Sequence, residues 1–283
     1  MQKILVPTDF SHNATKAIDY AVAIAEKANA EIILLNVTTL LDTTLSSRKA
    51  LIKEYNNTQV EGIGEQLKEL QQSIMATNTT AKITTKLYEG KVQDSILQCA
   101  ADENADLIVM GTQGASGLKK TLIGSTTDGI IGNTTIPVLA IPKEAKCKEL
   151  ENILFATRQL EADDKIFTPV LKLAQLDAAL IHVAVFTDTD NDDAGDYMQH
   201  GRLLNTYRQT LPVRYKDIKF KTAQLEGEDF DDTIQQYISA NKIDMMVMTT
   251  HKRSFWESFF NRSMTKEMSY HIHIPLLAVP VNN

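Results

Sequence analysis

Residues 108–142 read IVMGTQGASGLKKTLIGSTTDGIIGNTTIPVLAIP, and residues 246–280 read MVMTTHKRSFWESFFNRSMTKEMSYHIHIPLLAVP. The two stretches align without a gap. Each opens on a short apolar run of strand length, passes through a long loop into a stretch of helical length, and closes on a second apolar run. The correspondence continues upstream. Ile153-Leu154-Phe155-Ala156-Thr157 stands in for Ile4-Leu5-Val6-Pro7-Thr8, and Glu89-Gly90 matches Glu226-Gly227, with one residue inserted before the shared Asp94 and Asp232. A self-similarity this long marks a duplicated structural unit, and two periods exclude a long solenoid. The copies are expected at 1–145 and 150–283. Between them KEAKCKELE, residues 143–151, is charged and lacks core-forming periodicity.

Within the first copy, Ile4-Leu5-Val6-Pro7 leads through Thr8-Asp9-Phe10-Ser11 into a helical pattern at Ala17, Ala21, Ile24 and Ala28. Residues 31–37, EIILLNV, form a continuous apolar run, the signature of a parallel strand buried on both faces. A polar helix over 46–75, a strand over 81–87, a helix over 92–103 and a strand over 106–110 follow, then the long loop, a helix near Ser125 and a strand over 136–141. Strands alternating with helices predict an α/β fold: two tandem open-sheet domains, each a mostly parallel five-stranded sheet with helices on both faces.

The chain has 283 residues, 43% hydrophobic and 23% charged, the balance of a globular protein. A net charge of −7 excludes a general attraction to nucleic acid or anionic membrane. The two cysteines, Cys99 and Cys147, are too few for a disulfide framework and stand at no metal-ligand spacing, so a cytoplasmic setting is expected. MQKILVPTDF shows no secretory pattern, and no run of 18 apolar residues appears.

The loop after the strand at 106–110 is the candidate site. In an open parallel sheet, ligands collect beyond the carboxyl ends of the strands, where loops lead into helix N-termini. Here stand Gly111, Gly114, Gly117 and Gly124, followed by Ser125 and Thr126. Residues without a β-carbon let backbone amides approach an anion, and a helix N-terminus favours negative charge. Lys119 and Lys120 add Coulomb attraction that solvent screens. The loop reads equally as a turn. It matches neither the P-loop, because Lys119 stands where that motif needs glycine, nor G-x-G-x-x-G. Asp9 lies at the same carboxyl edge, suited either to a ribose hydroxyl or to capping the helix that begins near Ser11.

These residues resemble the universal stress proteins, in particular a tandem member with two such domains in one chain. Gly111, Gly114, Gly124 and Ser125 match the family's ATP-binding signature of glycine, two residues, glycine, nine residues, glycine, then serine or threonine. VPTDFS, ILLNV and IPVLAIP are also typical, and the resemblance covers nearly the whole chain. It implies a Rossmann-like, nucleotide-binding α-hydrolase-like fold whose copies pair through their last strands as an internal pseudo-dimer, with further homodimerisation possible. It also implies ATP or another adenine nucleotide, with Mg2+, in the first copy. Asp9 would contact the ribose, Pro7, Thr8 and Val37 would flank the adenine, and the glycine loop with Ser125 and Thr126 would wrap the phosphates. The implied role is a stress-response regulatory or binding protein acting on unidentified protein partners. A nucleotide-independent interaction module and a slow ATPase are the alternatives.

The second copy departs at each decisive place. Thr249, Lys252 and Arg262 replace Gly111, Gly114 and Gly124, Arg158 replaces Asp9, and Ser263 alone is kept. Binding in the family's manner is not expected there. Other candidates weigh less. Residues 188–192, DTDND, start like a calcium loop, but Asp193 and Gln199 stand where glycine and glutamate are needed, favouring a solvated acidic loop. His271 and His273 lack a third ligand nearby in sequence, and Phe255, Trp256, Phe259 and Phe260 suit either packing or a partner surface. No catalytic nucleophile with its base can be assembled, and His12 reads as a surface residue.

Overall fold

The computed structural model describes residues 1–42, 48–77, 79–112, 124–157, 164–250 and 273–281. The apolar runs become strands and the amphipathic stretches between them helices. The first half contains β1 (Lys3–Pro7), α1 (His12–Ala28), β2 (Glu31–Thr38), α2 (Lys49–Met75), β3 (Lys82–Glu89), α3 (Val92–Asp102), β4 (Leu107–Gly111), α4 (Ser125–Asn133) and β5 (Val138–Ile141). The second contains β6 (Asn152–Thr157), α5 (Asp164–Asp177), β7 (Leu180–Asp188), α6 (Ala194–Arg214), β8 (Lys219–Gly227), α7 (Phe230–Ala240), β9 (Met245–Thr250) and β10 (Leu276–Pro280). The starts of α1, α3 and α4 fall within a residue of the positions read from sequence.

The described strands form one sheet in the order β3-β2-β1-β4-β5-β10-β9-β6-β7-β8. Pairing is parallel within each half and antiparallel at the centre, where Leu276, Leu277 and Ala278 oppose Ala140, Leu139 and Val138. The closing strands, apolar enough to need cover, thus cover each other, and the two copies pack as an internal pseudo-dimer. Side chains alternate across this seam. Leu139 and Leu277 enter the core cluster that spans both halves, while Ala278 completes the first half's opposite face and Ala140 the second's.

Each half pins its first strand with a carboxylate just ahead of its fourth. Asp106 accepts hydrogen bonds from the amides of Gln2 and Lys3. Asp244 does the same for Glu151 and Asn152, both at 2.8 Å. Asp244 is 4% exposed and also pairs with Lys148. Partial desolvation, the largest single influence, would raise the Asp106 carboxyl, but the two amides together with the charges of the N-terminus and Lys172 hold it below the usual range.

Residues 143–151, charged and without apolar periodicity, nevertheless pack onto the body. Ala145 and Leu150 join the shared core, and Tyr20 donates its hydroxyl to the Lys146 carbonyl at 2.6 Å. The acidic stretch 188–192 also differs from a purely solvated loop. Asp188 is buried and accepts from the amides of Asp190 and Asn191, while Asp193 caps α6. Those carboxylates bind backbone donors of a turn and a helix start.

His182 on β7 is a buried polar residue that the strand pattern did not single out. Its ring nitrogens meet the Tyr237 hydroxyl at 2.9 Å and Asn152 Oδ1 at 3.2 Å. Burial, with the Lys221 charge as a smaller contribution, pushes the imidazole down from 6.5 to about 4. The unfolded chain binds that proton near pH 6.5 and the folded chain only near 4. The stability carried by neutral His182 is therefore complete above pH 6.5 and is lost as pH falls from there to 4. Urea denaturation across this window should show a loss of about 2–3 kcal/mol attributable to His182, flattened in His182→Gln.

Candidate functional site

The strand order reverses between β1 and β4, and a crevice opens beyond their carboxyl ends. A cavity of about 310 Å³ occupies this place. Its apolar lining, here called the slot, comes from Leu35, Val37, Val92, Ile96 and Met110, and its polar lining from Thr8, Asp9, Ser125 and Thr126 beside Gly124. Of the residues singled out from sequence, Pro7, Thr8, Asp9, Val37, Gly111, Gly124, Ser125 and Thr126 all line it. Gly114, with Gly117, Lys119 and Lys120, lies outside the described residues.

The turn after β1 is fixed by short-range hydrogen bonds. Thr8 donates its amide to the Leu35 carbonyl at 2.8 Å, and its hydroxyl accepts from Phe10 N at 3.1 Å. Asp9 Oδ1 accepts from Ser11 N at 3.0 Å. The N-cap of α1 is Ser11, whose hydroxyl accepts from Ala14 N, so Asp9 is not the cap but the residue that shapes the approach to it. Phe10 sits at φ 61°, a left-handed conformation uncommon for a bulky residue and tolerated where surrounding contacts fix it.

Gly111 ends β4 where α1 crosses closely. A β-carbon there would lie 2.6 Å from Asn13 Nδ2 and 3.1 Å from the Asn13 carbonyl oxygen. A side chain here would force Asn13 to move, so packing favours glycine at this position independently of any ligand. Thr127 Oγ1 donates to the Gly111 carbonyl at 2.9 Å, drawing the start of α4 to the strand end. Unlike α1, α4 has glycine at its N-cap and no side-chain cap. No described side chain caps its first-turn amides, the arrangement in which a helix start can accept an anion.

Asn36, absent from the sequence-based set, lines the cavity, and its Nδ2 donates to the Thr8 carbonyl at 2.8 Å. A polar residue interrupting the apolar run IILLNV was the signal that could have found it. Val92, at the first turn of α3, carried no such signal.

The second half builds this region differently. Strand register makes the halves comparable, because Lys3 faces Glu31 as Asn152 faces Leu180. Leu35, Asn36 and Val37 therefore correspond to Ala184, Val185 and Phe186, and Val92, first residue of α3, corresponds to Phe230, first residue of α7. Phe186 and Phe230 stack edge to face, with ring centroids 5.2 Å apart at 89°. Arg158, Lys252, Arg262 and Ser263 lie outside the described residues, as do Phe255, Trp256, Phe259, Phe260 and His271.

Comparison with known proteins agrees with the architecture. A family model described as "Universal stress protein family" matches residues 1–142 and again 149–280. Two universal stress proteins of Methanocaldococcus jannaschii are similar over one unit's length. One is 34% identical over 148 residues, 51% of this chain and 84% of that protein. The other is 29% identical over 156 residues, 50% of this chain and 96% of that protein. A solved universal stress protein from Archaeoglobus fulgidus superposes over 99% of this chain and 97% of its own, with TM-score 0.68 at 20% identity, a likeness of fold. The sequence match, repeated over two units, makes this chain a tandem member of the universal stress protein family.

Proposed function

We propose that the first half binds an adenine nucleotide, ATP with Mg2+, in the crevice beyond β1 and β4, and that the bound state governs contacts with other proteins in a stress response. The observation that carries this reading is one cavity joining an apolar slot to a helix start without a side-chain cap. The slot suits a planar base, Asp9 suits a ribose hydroxyl, and Gly124, Ser125 and Thr126 suit phosphate oxygens. Gly114 completes the phosphate loop in this reading. Mg2+ would enter with the nucleotide, held by its phosphate oxygens and neutralising their charge. The protein is a binding module whose two units divide between residues 145 and 150, and which can associate further as a homodimer. Free thiols at Cys99 and Cys147 suit a reducing cytoplasm, and no described helix is long and apolar enough to cross a membrane.

The test is to purify the protein without added nucleotide, denature it and identify any released small molecule by mass spectrometry. ATP or ADP is expected from the wild type. Gly124→Arg, which places the second half's residue at the α4 cap, should weaken ATP binding about 100-fold, about 2.7 kcal/mol, with an unchanged circular dichroism spectrum. No released nucleotide together with no ATP binding on titration overturns the reading.

A further inference from the structure

The second half's crevice lacks more than its glycines. We infer that an aromatic pair, Phe186 and Phe230, plugs the base slot of the second half, and that slot residues decide which half accepts a planar ligand. This inference rests on the nucleotide reading above for the identity of that ligand, but its geometry stands apart from it.

Val37, Val92 and Ile96 all line the cavity of the first half. At the corresponding positions Phe186 and Phe230 meet edge to face, and Phe186 is 2% exposed. They belong with Ile234 and Met248, the counterparts of Ile96 and Met110, to one packed cluster. The neighbour shrinks in compensation, because Leu35 is replaced by Ala184, whose missing volume admits the Phe186 ring. Exchanging a large residue for a small one beside a small one for a large one conserves core volume, which is why the fold tolerates it. Edge-to-face geometry adds attraction beyond area burial. Asn36, whose amide holds the Thr8 carbonyl in the first half, becomes Val185, so the polar contact that sets the β1 turn is lost with the space. The phosphate loop and the base slot have thus changed together, and restoring glycines alone would leave no room for a base.

The experiment transfers the plug. Val37→Phe with Val92→Phe should lower ATP affinity roughly 100-fold or more by titration calorimetry, with the glycine loop untouched and the circular dichroism spectrum of the folded protein retained, at some loss of thermal midpoint because Leu35 is kept. Binding of 1-anilinonaphthalene-8-sulfonate, an apolar fluorescent anion, is followed in parallel as a probe of the slot that needs no nucleotide chemistry. The wild type should bind this probe in the first half, the double variant should lose it, and Phe186→Val with Phe230→Val should gain a further site. Unchanged ATP and probe binding in the first double variant overturns the inference. If the wild type binds no ATP, the nucleotide reading fails. The plug then stands or falls on whether the probe is lost in that variant. Should the first double variant not fold, the gain of a probe site on opening the second half supports the inference, and no gain overturns it.

Discussion

Asp244→Ala should destabilise the protein by about 3–5 kcal/mol, read from urea denaturation at neutral pH. Asp244 is 4% exposed, and a single oxygen accepts from two amides, those of Glu151 and Asn152. Its other oxygen pairs with Lys148. Removing the side chain leaves two donors at the start of β6 without their acceptor, and each such loss costs about 1–3 kcal/mol. The counterpart Asp106→Ala removes the same pair of bonds at an exposed strand start, where water replaces the carboxylate, so a loss of about 1–2 kcal/mol is expected. An Asp244→Ala loss no greater than that of Asp106→Ala would refute the burial argument.

Leu277→Asp should have a comparable or larger effect, above about 4 kcal/mol. Leu277 is fully buried in β10, opposite Leu139 of β5, at the one antiparallel junction among the described strands. Its side chain lies in the cluster shared by both halves, among residues of β1, β6, α1 and α5. A carboxylate placed there has no cationic partner in that cluster and either pays desolvation or takes up a proton. Because the junction completes cores on both sides, both halves should lose stability together and unfold in one transition. Scanning calorimetry would reveal the contrary case as two transitions, with only the second half's shifted.

Much of this architecture was legible in the chain. The gapless match of residues 108–142 with 246–280 required two like units, and continuous apolar runs such as 31–37 required strands buried on both faces. The candidate site was legible where chemistry uses conspicuous residues: glycines after β4, Asp9 after β1, Ser125 and Thr126 at a helix start. Less legible were residues whose role depends on what stands opposite. Val92 and Met110 read as ordinary apolar positions until α3 and β4 are brought to the same cavity. Gly111 read as a phosphate-loop glycine, yet the close approach of Asn13 favours it for packing as well. Segment 143–151 read as a charged spacer because Ala145 and Leu150 are its residues in the shared core, and two apolar residues five apart carry no period.

The sequence by itself determined the duplication, the alternation of strand and helix, the family, and the sheet edge that carries the candidate site, because periodicity and residue type are local properties of the chain. The pairing of β5 with β10, implied by the family resemblance, is borne out by the structure, whereas tertiary structure alone decided that Asp244 is buried while Asp106 is exposed, and that two phenylalanines far apart in sequence meet where the other half keeps a cavity. Those outcomes depend on volume and solvent exclusion between segments distant along the chain, and no local pattern encodes which side chains will share one space.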